Sequence, residues 1–188
     1  MGRIFLGLGV IFLLFFSTVG KGVLSAESAV GGRFILQDHF GNTVTDRTYQ
    51  GSFMLVTFGY TFCPDVCPTN LSNMSDAMDV LGDKARQVTP IFITVDPDRD
   101  TVKQLRDYVD SFHPRLVGLT GPKAMIDRLA TGYKVKYALQ KPDKTDDEWY
   151  TVDHTASIYL MAPDGRFLVK FAHGMDPEKM ARRILDFL

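Results

Sequence analysis

Phe53-Met-Leu-Val-Thr-Phe58 is an almost unbroken apolar run, with no polar face to turn to water. A strand of that kind belongs at the centre of a sheet covered on both sides. Val88 to Val95 repeats the pattern. Between the two runs, Leu71, Met74, Met78 and Leu81 recur at helical spacing. Pro68 suits the first turn of that helix and Gly82 its end. Strand, helix, strand in this order points to an α/β fold with a mixed central sheet flanked by helices.

The rest of the chain extends this plan. Phe34 to His39, a turn at Gly41-Asn42 and Thr43 to Asp46 predict an N-terminal β extension. Asp96 to Asp100 reads as a loop, with Asp100 as the N-cap of a helix from Thr101 to about Ser111. Leu116 to Leu119 reads as a short strand and Pro122 to about Gly132 as a helix. Val135 to Leu139 and Trp149 to Val152 are expected to pair across a polar excursion. Thr155 to Met161 and Arg166 to Phe171 form a late β-hairpin about Ala162-Pro-Asp-Gly165. Pro177 to Leu188 closes the chain as an amphipathic helix.

The N-terminus has a different character. Arg3 is followed by Ile4 to Gly20 without a charge, and then by Ser25-Ala26. That is the pattern of a signal peptide or signal-anchor over residues 1–26. Leu24 fits a cleavage site poorly, so an uncleaved anchor is favoured. Residues 27–33 read as a linker and 34–188 as one domain, a normal size for one core. Either export route places that domain outside the cytoplasm. No Arg- and Ser-rich transit peptide is present, which favours a bacterial inner membrane with the domain facing the periplasm. The formal net charge of -1 offers no broad attraction for nucleic acid.

The chain has two cysteines, Cys63 and Cys67, in Cys-Pro-Asp-Val-Cys just after the first buried run. A disulfide closing so short a loop stabilises little, so the pair calls for a redox or metal role. A strand-to-helix junction is where α/β sheets gather their sites, and helix N-terminal amides favour thiolate. Soft thiolates suit Cu(I), Zn(II) or iron–sulfur clusters. A cluster usually takes four cysteines. A structural zinc site takes four ligands. Two thiolates and one imidazole suit Cu(I). An inert pair or an occasional disulfide is the plain alternative. Of the histidines, His154 stands directly before the late hairpin, and Asp153 beside it is positioned to orient the imidazole. His39 and His113 read as loop residues, and His173-Gly-Met175 as a turn before the last helix. Met74 and Met78 read as core filling.

Three blocks carry a resemblance. They are Gly59-Tyr-Thr-Phe-Cys-Pro-Asp-Val-Cys-Pro-Thr-Asn-Leu71, Thr94-Val-Asp-Pro-Asp-Arg-Asp-Thr101, and Val152-Asp-His-Thr155 with Ala162-Pro-Asp-Gly-Arg-Phe167. Together they resemble the Sco/SenC family over about Phe34 to Leu188. Gly51-Ser52 and Phe62 depart from its usual residues. The resemblance implies a thioredoxin-like fold, an N-terminal membrane tether, and copper held by Cys63, Cys67 and His154. It implies a metallochaperone that assists assembly of the binuclear copper centre of cytochrome c oxidase. The implied partners are the copper-centre subunit and a further copper chaperone or thioredoxin-like protein. Cys63 and Cys67 as the redox pair of a thiol–disulfide oxidoreductase, or a copper or redox sensor, are the alternatives. A peroxidase is disfavoured, because Thr61 lies two residues before Cys63 and peroxiredoxins place that threonine three before.

Overall fold

The computed structural model describes residue 2 and residues 30–141 and 150–188. The expected N-terminal anchor, apart from residue 2, and most of the polar excursion expected from Gln140 to Glu148 lie outside the described residues. Among those described, no helix is long and apolar enough to cross a membrane.

Among the described residues seven strands form one sheet, in the order β2 (Thr43–Thr45), β1 (Ile35–Asp38), β5 (Val117–Thr120), β4 (Val88–Thr94), β3 (Phe53–Gly59), β8 (Ile158–Met161) and β9 (Phe167–Phe171). Its centre is β3 beside β4, parallel and in register from Phe53↔Val88 to Gly59↔Thr94. β5 continues the parallel set. β1 and β2 add an antiparallel edge, as the Gly41-Asn42 turn predicted. On the other side, β8 runs antiparallel to β3, and β9 returns beside it. A separate ribbon pairs β6 (Tyr137–Gln140) with β7 (Thr151–His154).

The runs that lack a polar face are buried on both sides. Leu55, Val56 and Phe58 on β3 and Ile91, Phe92 and Ile93 on β4 are at most 1% exposed. Three elements share one face: α1 (Val66–Leu81), α2 (Val102–Val109) and the closing α4 (Pro177–Leu185). Cys67 from α1 and the Phe92 ring meet at Gly59, Tyr108 of α2 packs on Phe92, and α4 packs on α1. α3 (Lys123–Gly132) lies on the opposite face, where Tyr133, just past its end, packs tilted against Phe58 and edge-on against Tyr159. Met74 and Met78 are core residues, as their helical spacing implied. α1 stops at Gly82, whose positive φ of 53° is one that glycine adopts most easily.

Two local expectations change. Asp100 does not cap α2. Thr101 does, its side chain accepting the Gln104 amide. His39 is not a free loop residue: it is 4% exposed, and its Nδ1 accepts the Gly118 amide at 3.1 Å.

Burial pushes the His39 pKa below its ordinary value. The unfolded chain therefore takes up a proton near pH 6.5 while the folded chain does not. Stability from this residue is present above that pH and is lost as pH falls toward the depressed folded value. His113, also lowered by burial, acts in the same direction. Thermal melts between about pH 7.5 and 5 are expected to show a falling midpoint that is shallower in His39→Gln. Equal slopes in both proteins would contradict the assignment.

Candidate metal centre

The topology brings two remote segments to one edge. β3, β4 and β5 all end at the same side of the sheet. β8 is antiparallel to β3 with Thr57↔Ile158 as its first pair, so residues 154–157 arrive beside residues 58–63. The cysteine loop and His154 meet there.

Cys63 lies in a turn closed by its own amide donating to Tyr60 O at 3.2 Å. α1 then begins at Val66, which places Cys67 within its first turn. Asp65 at the N-cap makes no side-chain capping bond. The Cys63 sulfur takes that place instead, accepting the Cys67 amide at 3.5 Å. Cys67 is buried and Cys63 half-buried, and both are free thiols. Cys67 Sγ lies 3.2 Å from His154 Nε2. The three donor atoms all lie within 4.8 Å of one another. Thiolate and imidazole bonds to a metal are roughly 2.0–2.3 Å long, so one ion fits between them with little movement.

The imidazole is turned for ligation. Its Nδ1 lies 3.2 Å from Thr155 O, which can only accept, so Nδ1 carries the proton and the Nε2 lone pair faces the sulfurs. Tyr60 meets the ring edge-on at 6.0 Å. Asp153 does not orient the ring. Successive residues of β7 point to opposite faces, and the Asp153 carboxylate accepts from Gln140 Nε2 at 2.8 Å instead.

The two thiols are electrostatically unequal. Cys63 is drawn down to about 3, chiefly because of the Cys67 thiol beside it, with the Asp65 and Cys67 amides adding donors. Cys67 is pushed far up, by Cys63 beside it and by burial. In the metal-free reduced protein, alkylation of Cys63 by iodoacetamide is expected to stay nearly flat from pH 8 to pH 5. An ordinary thiol would slow by roughly several hundredfold over that range. A Cys63 rate falling tenfold per pH unit would contradict the inequality.

Asn70 is a residue the sequence reading passed over. It is 1% exposed, three positions beyond Cys67. Its Nδ2 donates to Ala156 O at 3.0 Å, and its Oδ1 accepts from His173 Nδ1 at 2.9 Å. It thereby ties the cysteine helix to the segment carrying His154. The available signal was a polar side chain four before Met74, on the buried stripe of α1. His173 serves this tie rather than the metal cluster. Thr61 is also committed elsewhere: its hydroxyl donates to Asp100 at 2.7 Å.

Known proteins resemble this chain in sequence and fold. SenC of Rhodobacter capsulatus is 38% identical over 173 residues, covering 92% of this chain and 77% of that protein. The human mitochondrial SCO1 homologue is 41% identical over 157 residues, covering 82% of this chain and 52% of its own. The chain spans about half the length of the human, mouse and Arabidopsis mitochondrial relatives it matches. Among solved structures, copper-bound ScoI of Bradyrhizobium japonicum superposes with a TM-score of 0.78 at 44% identity, covering 85% of this chain and all of that one. The fold is accordingly thioredoxin-like, as in those Sco structures. The SCO1/SenC family model matches residues 23–188, and this chain belongs to the SCO1/SenC family.

Proposed function

We propose that this protein binds one copper ion through Cys63, Cys67 and His154 and passes it to the binuclear copper centre of cytochrome c oxidase during assembly. The observation that carries this reading is the convergence of two sulfurs and one imidazole nitrogen within 4.8 Å. That set is soft enough for copper. The half-buried Cys63 at its rim gives an incoming ligand a point of attack. Exchange of one sulfur at a time transfers the ion without releasing it.

The N-terminal residues 1–26 serve as a signal-anchor in this reading. They hold the domain on the periplasmic side of a bacterial inner membrane, where the copper-centre subunit is the recipient. A test follows directly. The copper-loaded protein is mixed with the metal-free soluble domain of that subunit, and copper on each is measured after separation. Transfer by the wild type, with copper absent from His154→Ala, is the expected result. A His154→Ala protein that keeps its copper as firmly as the wild type would overturn the ligand assignment.

A second reading is favoured by the inequality of the thiols. A thiolate at Cys63 and a protonated neighbour at Cys67 are the attacking and resolving partners of a disulfide reductant. Such a protein would give two electrons to the recipient's disulfide and become oxidised across Cys63–Cys67. Incubation with an oxidised copper-site peptide, followed by thiol counting, separates this activity from delivery.

A further inference from the structure

Asp100 is a buried ionisable group for which metal binding gives no reason. It is 0% exposed. Its Oδ2 accepts the Thr61 amide at 3.0 Å and the Thr94 hydroxyl at 2.6 Å, and its Oδ1 accepts the Thr61 hydroxyl at 2.7 Å. The Thr94 hydroxyl itself accepts the Asp96 amide at 2.9 Å, which leaves its hydrogen for Asp100. Three donors therefore converge on this carboxylate, as on an ionised one. Burial pushes its pKa upward, and the Thr94 and Thr61 donors act against that.

Its counter-charge is directed elsewhere. Arg99, the adjacent residue, pairs with Asp96 at 2.5 Å and stacks on Tyr150 at 3.5 Å. The Asp100 backbone is also held, its amide donating to Asp96 O at 2.9 Å and its carbonyl accepting from Thr120 at 3.0 Å. The charge is thus fixed against Thr61, two residues before Cys63. Gly59, two residues further back, packs directly on the Cys67 sulfur.

We propose that Asp100 is a positioning residue whose fixed negative charge, held behind the cysteine loop, biases the centre toward its more positive contents: Cu(II) over Cu(I), and disulfide over dithiol. Two thiolates and an imidazole around Cu(II) carry no net charge, and around Cu(I) they carry one negative charge. The reduced cysteine pair likewise carries thiolate charge that the disulfide lacks. A nearby anion in a water-poor interior disfavours the more negative member of each pair. Only the copper half of this inference rests on the proposed function.

The experiment uses the full chain as wild type, Asp100→Asn, Asp100→Ser and Thr61→Val. Cu(I) and Cu(II) affinities are each measured by competition with chelators. In parallel, the equilibrium protein disulfide + 2 GSH ⇌ protein dithiol + GSSG is measured in glutathione buffers at pH 7. Both neutral Asp100 variants are expected to lower the Cu(II)-to-Cu(I) affinity ratio by roughly tenfold or more. Both are expected to shift the glutathione equilibrium toward dithiol by a similar factor. Thr61→Val removes one donor but keeps the charge, and is expected to leave both within about twofold. Asp100→Ser keeps an acceptor for the Thr61 amide, so it stands in if Asp100→Asn fails to fold. Equal shifts in Thr61→Val and the Asp100 variants, or no shift in any, would overturn the proposal by reducing Asp100 to loop packing. A wild type that retains no copper defeats the proposed function, and the glutathione equilibrium then decides on the charge alone.

Discussion

Replacing Cys67 by alanine is expected to lower copper retention by more than about 100-fold. Loss of a group that merely supports a metal ligand costs about 10–100-fold in affinity, and Cys67 is proposed as a ligand itself. It stands at the centre of the site, 3.2 Å from His154 Nε2 and within 4.8 Å of the Cys63 sulfur. The substitution has a second consequence. Cys63 loses the neighbour that contributes most to its low pKa. Its thiolate fraction at pH 5 is therefore expected to fall, and its alkylation rate with it. Equilibrium dialysis against a copper chelator and a mass-resolved alkylation assay read the two effects separately. Retained copper together with an unchanged Cys63 rate would show that Cys67 does neither.

Gly59→Ala is expected to damage fold and site together. A Cβ added at this position would stand 2.5 Å from the Cys67 sulfur and 2.7 Å from the Phe92 ring. Both neighbours are held: Cys67 by the first turn of α1, and Phe92 by complete burial in β4. Overpacking of a filled interior costs roughly 1–3 kcal/mol. Relief comes from moving either the sheet centre or the sulfur, so copper affinity is expected to fall along with the melting temperature. Chemical denaturation and copper competition on the same preparation measure both. A variant with wild-type stability and affinity would show that the close approach at Gly59 is without consequence.

Much of this arrangement is legible in the amino-acid sequence. The apolar runs of β3 and β4 have no polar alternation, and only a sheet centre accommodates them. Cys63 and Cys67 followed the first run, and His154 preceded the hairpin strand that pairs with it. What escaped the sequence was decided by tertiary contact. Asp100 has the chemistry of a helix cap, but Thr61, 39 residues earlier, claims its side chain. His39 looks like a turn residue until β5 arrives to give it the Gly118 amide. Asp153 stands next to a proposed ligand in sequence and on the opposite face of a strand in space. Asn70 was visible only as a polar interruption of the buried stripe on α1, and its partners at Ala156 and His173 lie 86 and 103 residues away.

X-ray absorption at the copper edge of the loaded protein asks most directly whether two segments of this chain close on one ion. Two sulfur scatterers and one imidazole nitrogen about a single copper are predicted, with the nitrogen lost in His154→Ala. A first shell of oxygen and nitrogen alone, or one that the His154 substitution leaves untouched, would contradict it.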